Sequence, residues 1–267
     1  MELQISSRVS QLSATTEANR QIGDQLKDAI ANHDGMAILE DAFGTALKRA
    51  PLGRAALERF LACHVAFVRD VPTSILTVAL RLSHACMKFD YFGGHSIAAR
   101  TLFAAVHEYG LQNTEVGFAK THFELYREGI RSFGFDEKAI LANKSIFPEV
   151  IEMADWNENL AQNAPLAKAL GGHVALEATA DREFLLLWEG FSKYWQAYNL
   201  GGVDDPALGF YQIHIVQEPQ HADLSVKALN KYLAFMPDEA PLALEGCNEY
   251  LGMYCKCMKA FDRAFFS

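Results

Sequence analysis

The strongest constraint on this chain is the step at which its apolar residues recur. Cys247, Tyr250, Leu251, Tyr254, Met258, Phe261 and Phe265 fall at intervals of three and four, with Glu249, Lys256 and Lys259 set off that stripe. Such spacing is one face of a helix. Phe60, Cys63, His64, Phe67 and Val68 repeat the pattern, which continues past Pro72 into Ile75, Leu76, Ala79, Leu80 and Leu82. Pro72 lacks an N–H and predicts a kink or a restart there. No run alternates with the period of two that a half-buried strand requires. Breakers at Gly93-Gly94, Gly110, Gly134, Gly171-Gly172, Gly201-Gly202 and Pro237 divide the chain, predicting about seven to nine helices. No Pro/Gly/Ser-rich linker, charge run or internal repeat marks a boundary. The expectation is an all-α chain forming one domain over residues 1–267. Its most polar part, roughly the first 30 residues, reads as a loosely packed helix.

Composition narrows the function classes. Of 267 residues 24 are Lys or Arg and 33 Asp or Glu, a net charge of −9. That balance disfavours a broad nucleic-acid or anionic-membrane surface. No apolar run approaches the roughly 20 residues needed to span a bilayer. The opening residues lack a basic segment followed by an apolar one, so no secretory signal is expected. Cys63, Cys86, Cys247, Cys255 and Cys257 are odd in number and sit in apolar stretches, which fits core packing in a reducing cytoplasm. No nucleic-acid or membrane partner is expected.

The sharpest chemical signal is the segment His214-Ile-Val-Gln-Glu218-Pro-Gln-His221. On a helix, residues four apart differ by about 40° and residues seven apart by about 20°, so the three side chains share one face. Two imidazoles and a carboxylate projected together suit Fe, Mn or Zn. With 9 His and 33 acids in the chain, chance supplies about 0.04 such motifs. The competing reading is a partly exposed polar face. Pro219 lies inside the motif and predicts a kink or a widened turn.

Glu108-Tyr109-Gly110 precedes Glu115 and His122. Gly110 and the following Leu-Gln-Asn-Thr predict that one helix ends near Glu108, that Asn113 or Thr114 caps the next, and that His122 lies on it. Alone, these are more often a surface acid and a hydrogen-bonded histidine. Glu177 sits in the small-residue, apolar stretch Leu170-Gly-Gly-His-Val-Ala-Leu-Glu177. A carboxylate buried there needs a partner; otherwise it is a helix-surface glutamate. Helix bundles build dimetal sites from acids and histidines on facing helices. Three such carboxylates against two Fe(II) ions leave a site close to neutral.

These three blocks, in this order, resemble the heme-oxygenase-like diiron oxidases and oxygenases, over roughly residues 35–235. The resemblance implies a single helical domain in which two Fe(II) ions activate O2. It carries the family's ligands onto Glu108, His122, Glu177, His214, Glu218 and His221, with Glu177 as the bridging, catalytic carboxylate. The family usually has Asp where Glu218 stands, and a shorter interval between its first carboxylate and the histidine. Glu115, seven before His122, is therefore a rival to Glu108, which the Glu-Tyr-Gly turn favours. In the family such enzymes act on amino acids or fatty acids by N-oxygenation, C–C cleavage or oxidative decarboxylation.

The expected substrate is a small, amino-acid-like metabolite of specialised metabolism. Arg69, Arg81 and Tyr109 are offered as polar pocket walls, and Arg100 as a further grip on a substrate carboxylate. An external electron donor and a homodimer are both compatible with this reading. His64 reads as a core histidine, His107 as supporting or exposed, and His173 as able to orient Glu177. Two other functions fit a helical fold of this kind: a metal-independent hydrolase or cofactorless oxidase, and a non-catalytic binding protein.

Overall fold

The computed structural model describes residues 22–89, 91–110, 113–114, 117–143 and 145–265, and over them the chain is helical apart from one minute hairpin. After a helical stretch at 22–31 come α1 (Asp34–Leu39), which runs into a π-helical turn at Glu40–Ala46, then α2 (Arg54–Val68), α3 (Val71–Cys86) and α4 (Tyr91–Glu108). Strands β1 (Asn113–Thr114) and β2 (Gly117–Phe118) pair antiparallel. They are followed by α5 (His122–Ser132), α6 (Glu137–Leu141), α7 (Pro148–Asn163), α8 (Leu166–Lys193), α9 (Pro206–Leu233) and α10 (Ala240–Phe265).

The two longest helices, α8 and α9, have 28 residues each, a length of about 42 Å. Helix α8 is central, packed between α9 and α10, while α9 also lies against α4 and α5. Three helices, α4, α5 and α8, therefore converge along α9. The bulk of the core lies beside them, where Phe60 meets Phe43, Phe191 and Phe261 edge-on at centroid distances of 5.9, 5.6 and 5.5 Å. Edge-to-face packing suits the quadrupoles of aromatic rings. All five cysteines are buried and unbridged, as their apolar surroundings predict.

Several sequence expectations change. Ten labelled α-helices and the helical stretch at 22–31 lie among the described residues, more than expected. Helices of six and five residues, α1 and α6, are too short to show a period. At Pro72 the chain restarts: α2 ends at Val68 and α3 begins at Val71 with the proline in its first turn. The combined stretch Arg54–Cys86 is long and apolar enough to cross a membrane by length and composition. However, it is broken at Arg69-Asp70, and many of its apolar residues lie in the core. Pro219, expected to kink its helix, lies within an uninterrupted α9. Most of the N-terminal helix expected to be loose lies outside the described residues, but Leu26 and Ile30 are buried in the core.

Two of the glycine pairs read as breakers are inside helices and serve close contact instead. Gly93-Gly94 lies in α4, where a Cβ on Gly94 would come within 2.7 Å of the Cys86 backbone. Gly171-Gly172 lies in α8 at its crossing with α10. A Cβ on Gly171 would stand 1.9 Å from the Ala243 carbonyl oxygen, and one on Gly246 would stand 2.0 Å from that of Lys168. The two backbones touch directly, which only glycine permits.

Gly171→Ala is therefore expected to destabilise the protein by about 1–3 kcal/mol or more, through overpacking against rigid backbone. Gly252 in α10 has nothing within 4 Å of its would-be Cβ. Gly252→Ala is expected to stabilise by about 1 kcal/mol, the helix-propensity gain alone. Chemical denaturation of the two variants checks the contrast.

Candidate metal centre

Each chemical block arrives at the centre by a local device. Glu108 is the last residue of α4. The chain then turns at Gly110, whose φ is +63° and whose would-be Cβ lies 2.3 Å from the Ala119 carbonyl oxygen. Left-handed backbone and close approach both call for glycine. The next helix is not capped by Asn113 or Thr114, which form β1. Thr121 caps it instead, with its Oγ1 accepting from the Glu124 N–H at 3.0 Å and its own N–H donating to Glu124 Oε2 at 2.8 Å. This reciprocal capping box fixes where α5 starts, and His122 is its first residue. Glu177 projects from the middle of α8, and α9 contributes His214, Glu218 and His221.

All six side chains are buried and fall into two triads, Glu108–His122–His214 and Glu177–Glu218–His221. Within each, one ligand-type atom from every residue lies within 4.8 Å of the others. In the first, His122 Nδ1 lies 3.0 Å from Glu108 Oε2, and His214 Nε2 lies 3.8 Å from Glu108 Oε1. In the second, His221 Nδ1 lies 3.7 Å from Glu177 Oε2 and 3.5 Å from Glu218 Oε2. Glu218 joins the two, because its Oε1 is 3.8 Å from His214 Nε2. Glu177, expected from the sequence to bridge, turns its other oxygen towards His173 Nε2 at 3.5 Å. Glu218 thus has an oxygen near a histidine of each triad, while the oxygens of Glu177 face His221 and His173. Glu115, the rival first carboxylate, lies outside the described residues.

The imidazoles are oriented from behind. His214 Nδ1 is 2.7 Å from the Phe210 carbonyl oxygen, so it donates there and leaves the Nε2 lone pair facing the carboxylates. Phe184 covers the His214 ring at a centroid distance of 3.9 Å. His221 Nε2 is 2.9 Å from His107 Nδ1. With a metal on the Nδ1 of His221, its Nε2 would carry the proton and donate it to His107. His107 is thus buried and in the supporting position that the sequence had allowed for. Its helical azimuth, 100° from Glu108, had not shown which ring it supports.

Charge in this centre is uncompensated by any lysine or arginine among the described residues. Burial alone would push the Glu108 carboxyl up, but the flanking His122 and His214 imidazoles outweigh it and hold the group well below the usual range. Burial, reinforced by the Glu218 charge, pushes Glu177 well up. Burial likewise raises Glu218 to about 8. The imidazoles of His107, His173 and His214 are each lowered to about 4, chiefly by burial, and are neutral at pH 7. Five polar atoms in the cluster, Nδ1 and Nε2 of His122, Oε1 of Glu177, Oε2 of Glu218 and Nδ1 of His221, have no hydrogen-bond partner. Neutral imidazoles and orphaned carboxylate oxygens are the donor set that a divalent transition metal satisfies.

A cavity of about 50 Å³ opens onto both triads, with Glu108, Glu177, Glu218 and His214 in its wall. The proposed polar wall is elsewhere. Arg69 is mostly exposed and pairs with Asp70. Arg81 donates to the Ala161 and Ala164 carbonyls at the end of α7. Arg100 and Tyr109 are exposed. The cavity instead has Phe67, Val68, Leu176 and Phe184 among its lining. It also holds an acid that sequence reasoning passed over, Glu183, which lies 3.3 Å from His64 Nε2 and accepts from the Tyr254 hydroxyl at 2.9 Å. The signal available for Glu183 was an acid directly before the apolar run Phe184-Leu-Leu-Leu-Trp188.

The sequence model of a family described as iron-containing redox enzymes matches residues 59–254. The chain is also similar in fold to the crystal structure of a domain of unknown function with a heme oxygenase-like fold from Shewanella denitrificans. The TM-score is 0.55 at 12% sequence identity, covering 93% of this chain and 91% of that one. No curated protein sequence matches the chain.

These shifted groups imply a pH dependence for the metal-free protein. Between pH 4.5, its ordinary value, and about 8, folded Glu218 binds a proton that the unfolded chain has released, so stability falls as pH rises. Below 6.5 the buried histidines act oppositely, because the unfolded chain binds protons that they refuse. Stability measured by thermal melts is expected to decline from about pH 6.5 to about 8, and saturating Fe(II) under anaerobic conditions is expected to abolish the decline. His107→Ala is expected to weaken metal binding at the triad that holds His221 about 10–100-fold, with partial rescue by His107→Asn. Equilibrium metal titration reads that difference.

Proposed function

The chain belongs to the family of iron-containing redox enzymes, and from that premise we propose that it is an O2-dependent non-heme diiron oxidoreductase. One iron would be held by Glu108, His122 and His214, the other by Glu177, Glu218 and His221, with Glu218 reaching both. The observation that carries this reading is the pairing of two buried triads joined through Glu218, with five orphaned polar atoms among their six side chains. A single ion would leave one triad's carboxylates buried without a cation, which is costly.

Bound Fe(II) would supply the electrons that reduce dioxygen, and a substrate or an external donor supplies the remainder. The protein's part is to place, exclude and orient. The Phe210 carbonyl and His107 set the tautomers of His214 and His221, so that each turns a lone pair inward. Phe184 shields the His214 ring, and the apolar cavity wall keeps bulk water from the reacting centre. The cavity gives a small metabolite access to the same two triads. A small amine-bearing metabolite remains our proposal, and the arginines expected to grip a substrate carboxylate are not in this wall.

Anaerobic Fe(II) loading followed by admission of O2 tests this reading. The expected result is two irons per chain and rapid, iron-dependent O2 uptake with an absorbance change. His214→Ala is expected to lose at least one iron and to cut the O2 rate by two orders of magnitude or more, roughly the upper end seen for removed metal-site groups. Correctly folded protein that binds no iron, or a His214→Ala variant that keeps both irons and the rate, overturns it.

A further inference from the structure

The cavity that opens onto the triads carries a fourth carboxylate with no metal to satisfy it. Glu183 is buried on α8, six residues beyond Glu177, a step of about 9 Å along the helix axis. Its Oε2 accepts one hydrogen bond, from the Tyr254 hydroxyl, and its Oε1 faces His64 Nε2, which makes no hydrogen bond. Each carboxylate oxygen has a second acceptor site. No lysine or arginine lines the cavity among the described residues. Three further wall residues, Phe67, Phe184 and Tyr250, are aromatic.

A substrate carboxylate entering this space would find no side-chain cation and would meet Glu183, a like charge in a low-dielectric wall. A substrate ammonium would find the opposite: the Glu183 carboxylate, whose oxygens can accept more than the one hydrogen bond from Tyr254, in a cavity whose wall also holds Phe67, Phe184 and Tyr250. Resting on the reading that this cavity is the reaction site, we infer that it takes an organic cation, a primary amine with an apolar body, whose ammonium is read by Glu183. The amine end is then held at Glu183 while the far end of the molecule lies towards Glu177 and the triads. Glu183 acts in binding and specificity, separate from the metal-holding acids.

Calorimetry on the anaerobic Fe(II)-loaded protein tests this with three matched probes: 2-phenylethylamine, 2-phenylethanol and 3-phenylpropionate. The amine is expected to bind at least about tenfold more tightly than the alcohol and the acid, consistent with a desolvated charge pair. Glu183→Gln is expected to weaken the amine about thirtyfold or more, with alcohol binding and iron content unchanged. The inference is overturned if the acid binds as tightly as the amine, if no amine binding is seen up to millimolar concentration, or if the folded variant binds the amine as well as the parent. Should Glu183→Gln fail to fold, the ranking of the three probes on the parent protein decides. Should the parent take up no iron, the oxidative reading fails on its own, and the same ranking on metal-free protein still decides the amine.

Discussion

Three carboxylates and three imidazoles are buried together with no fixed cation beside them among the described residues, and this arrangement governs much of what surrounds it. A folded protein tolerates such a cluster only by keeping protons on some of the acids or by binding metal. The metal-free chain takes the first course: Glu177 and Glu218 are driven towards the neutral form while Glu108, flanked by two imidazoles, stays ionised. Dications replacing those protons would turn an electrostatic cost into a binding energy that also stabilises the fold.

The helical frame explains why the cluster forms at this place. Helix α9 carries three of the six groups along one stripe and is the element that α4, α5 and α8 all touch. The other three groups come from those neighbours, two of them at helix ends. Helix ends are set by caps and turns, so the Gly110 turn and the Thr121 capping box determine where Glu108 and His122 meet. Away from the centre, the direct backbone contact of α8 with α10 at Gly171 and Gly246 anchors the helix that bears Glu177 and Glu183.

The helical class was legible because the apolar stripes are long, and the α9 motif was legible because three ligand-type residues share one face whatever the tertiary context. Other features were not. Glycine pairs read as breakers because sequence does not distinguish a glycine needed for a turn from one needed for contact; Gly171 has helical backbone and a neighbour at contact distance. Asn113 and Thr114 resembled caps, but Thr121 with Glu124 three residues later was the true signature. The bridging role of Glu177 came from the resemblance; which way each carboxylate oxygen points is not written in the sequence, and Glu218 has one towards each triad. Arginines read as substrate grips are spent on Asp70 and on helix-end carbonyls. The Glu183–Tyr254 and His107–His221 contacts are long-range pairings, which neither partner's own segment announces.

Anomalous diffraction from crystals of anaerobically iron-loaded protein tests the central claim most directly. We expect two iron peaks between α4, α5, α8 and α9, about 3.5–4 Å apart as in other two-metal sites. One should be bonded to Glu108, His122 and His214, the second to Glu177 and His221, with Glu218 touching both. A lone peak, or iron bound elsewhere with these six side chains still turned on one another, would contradict the account.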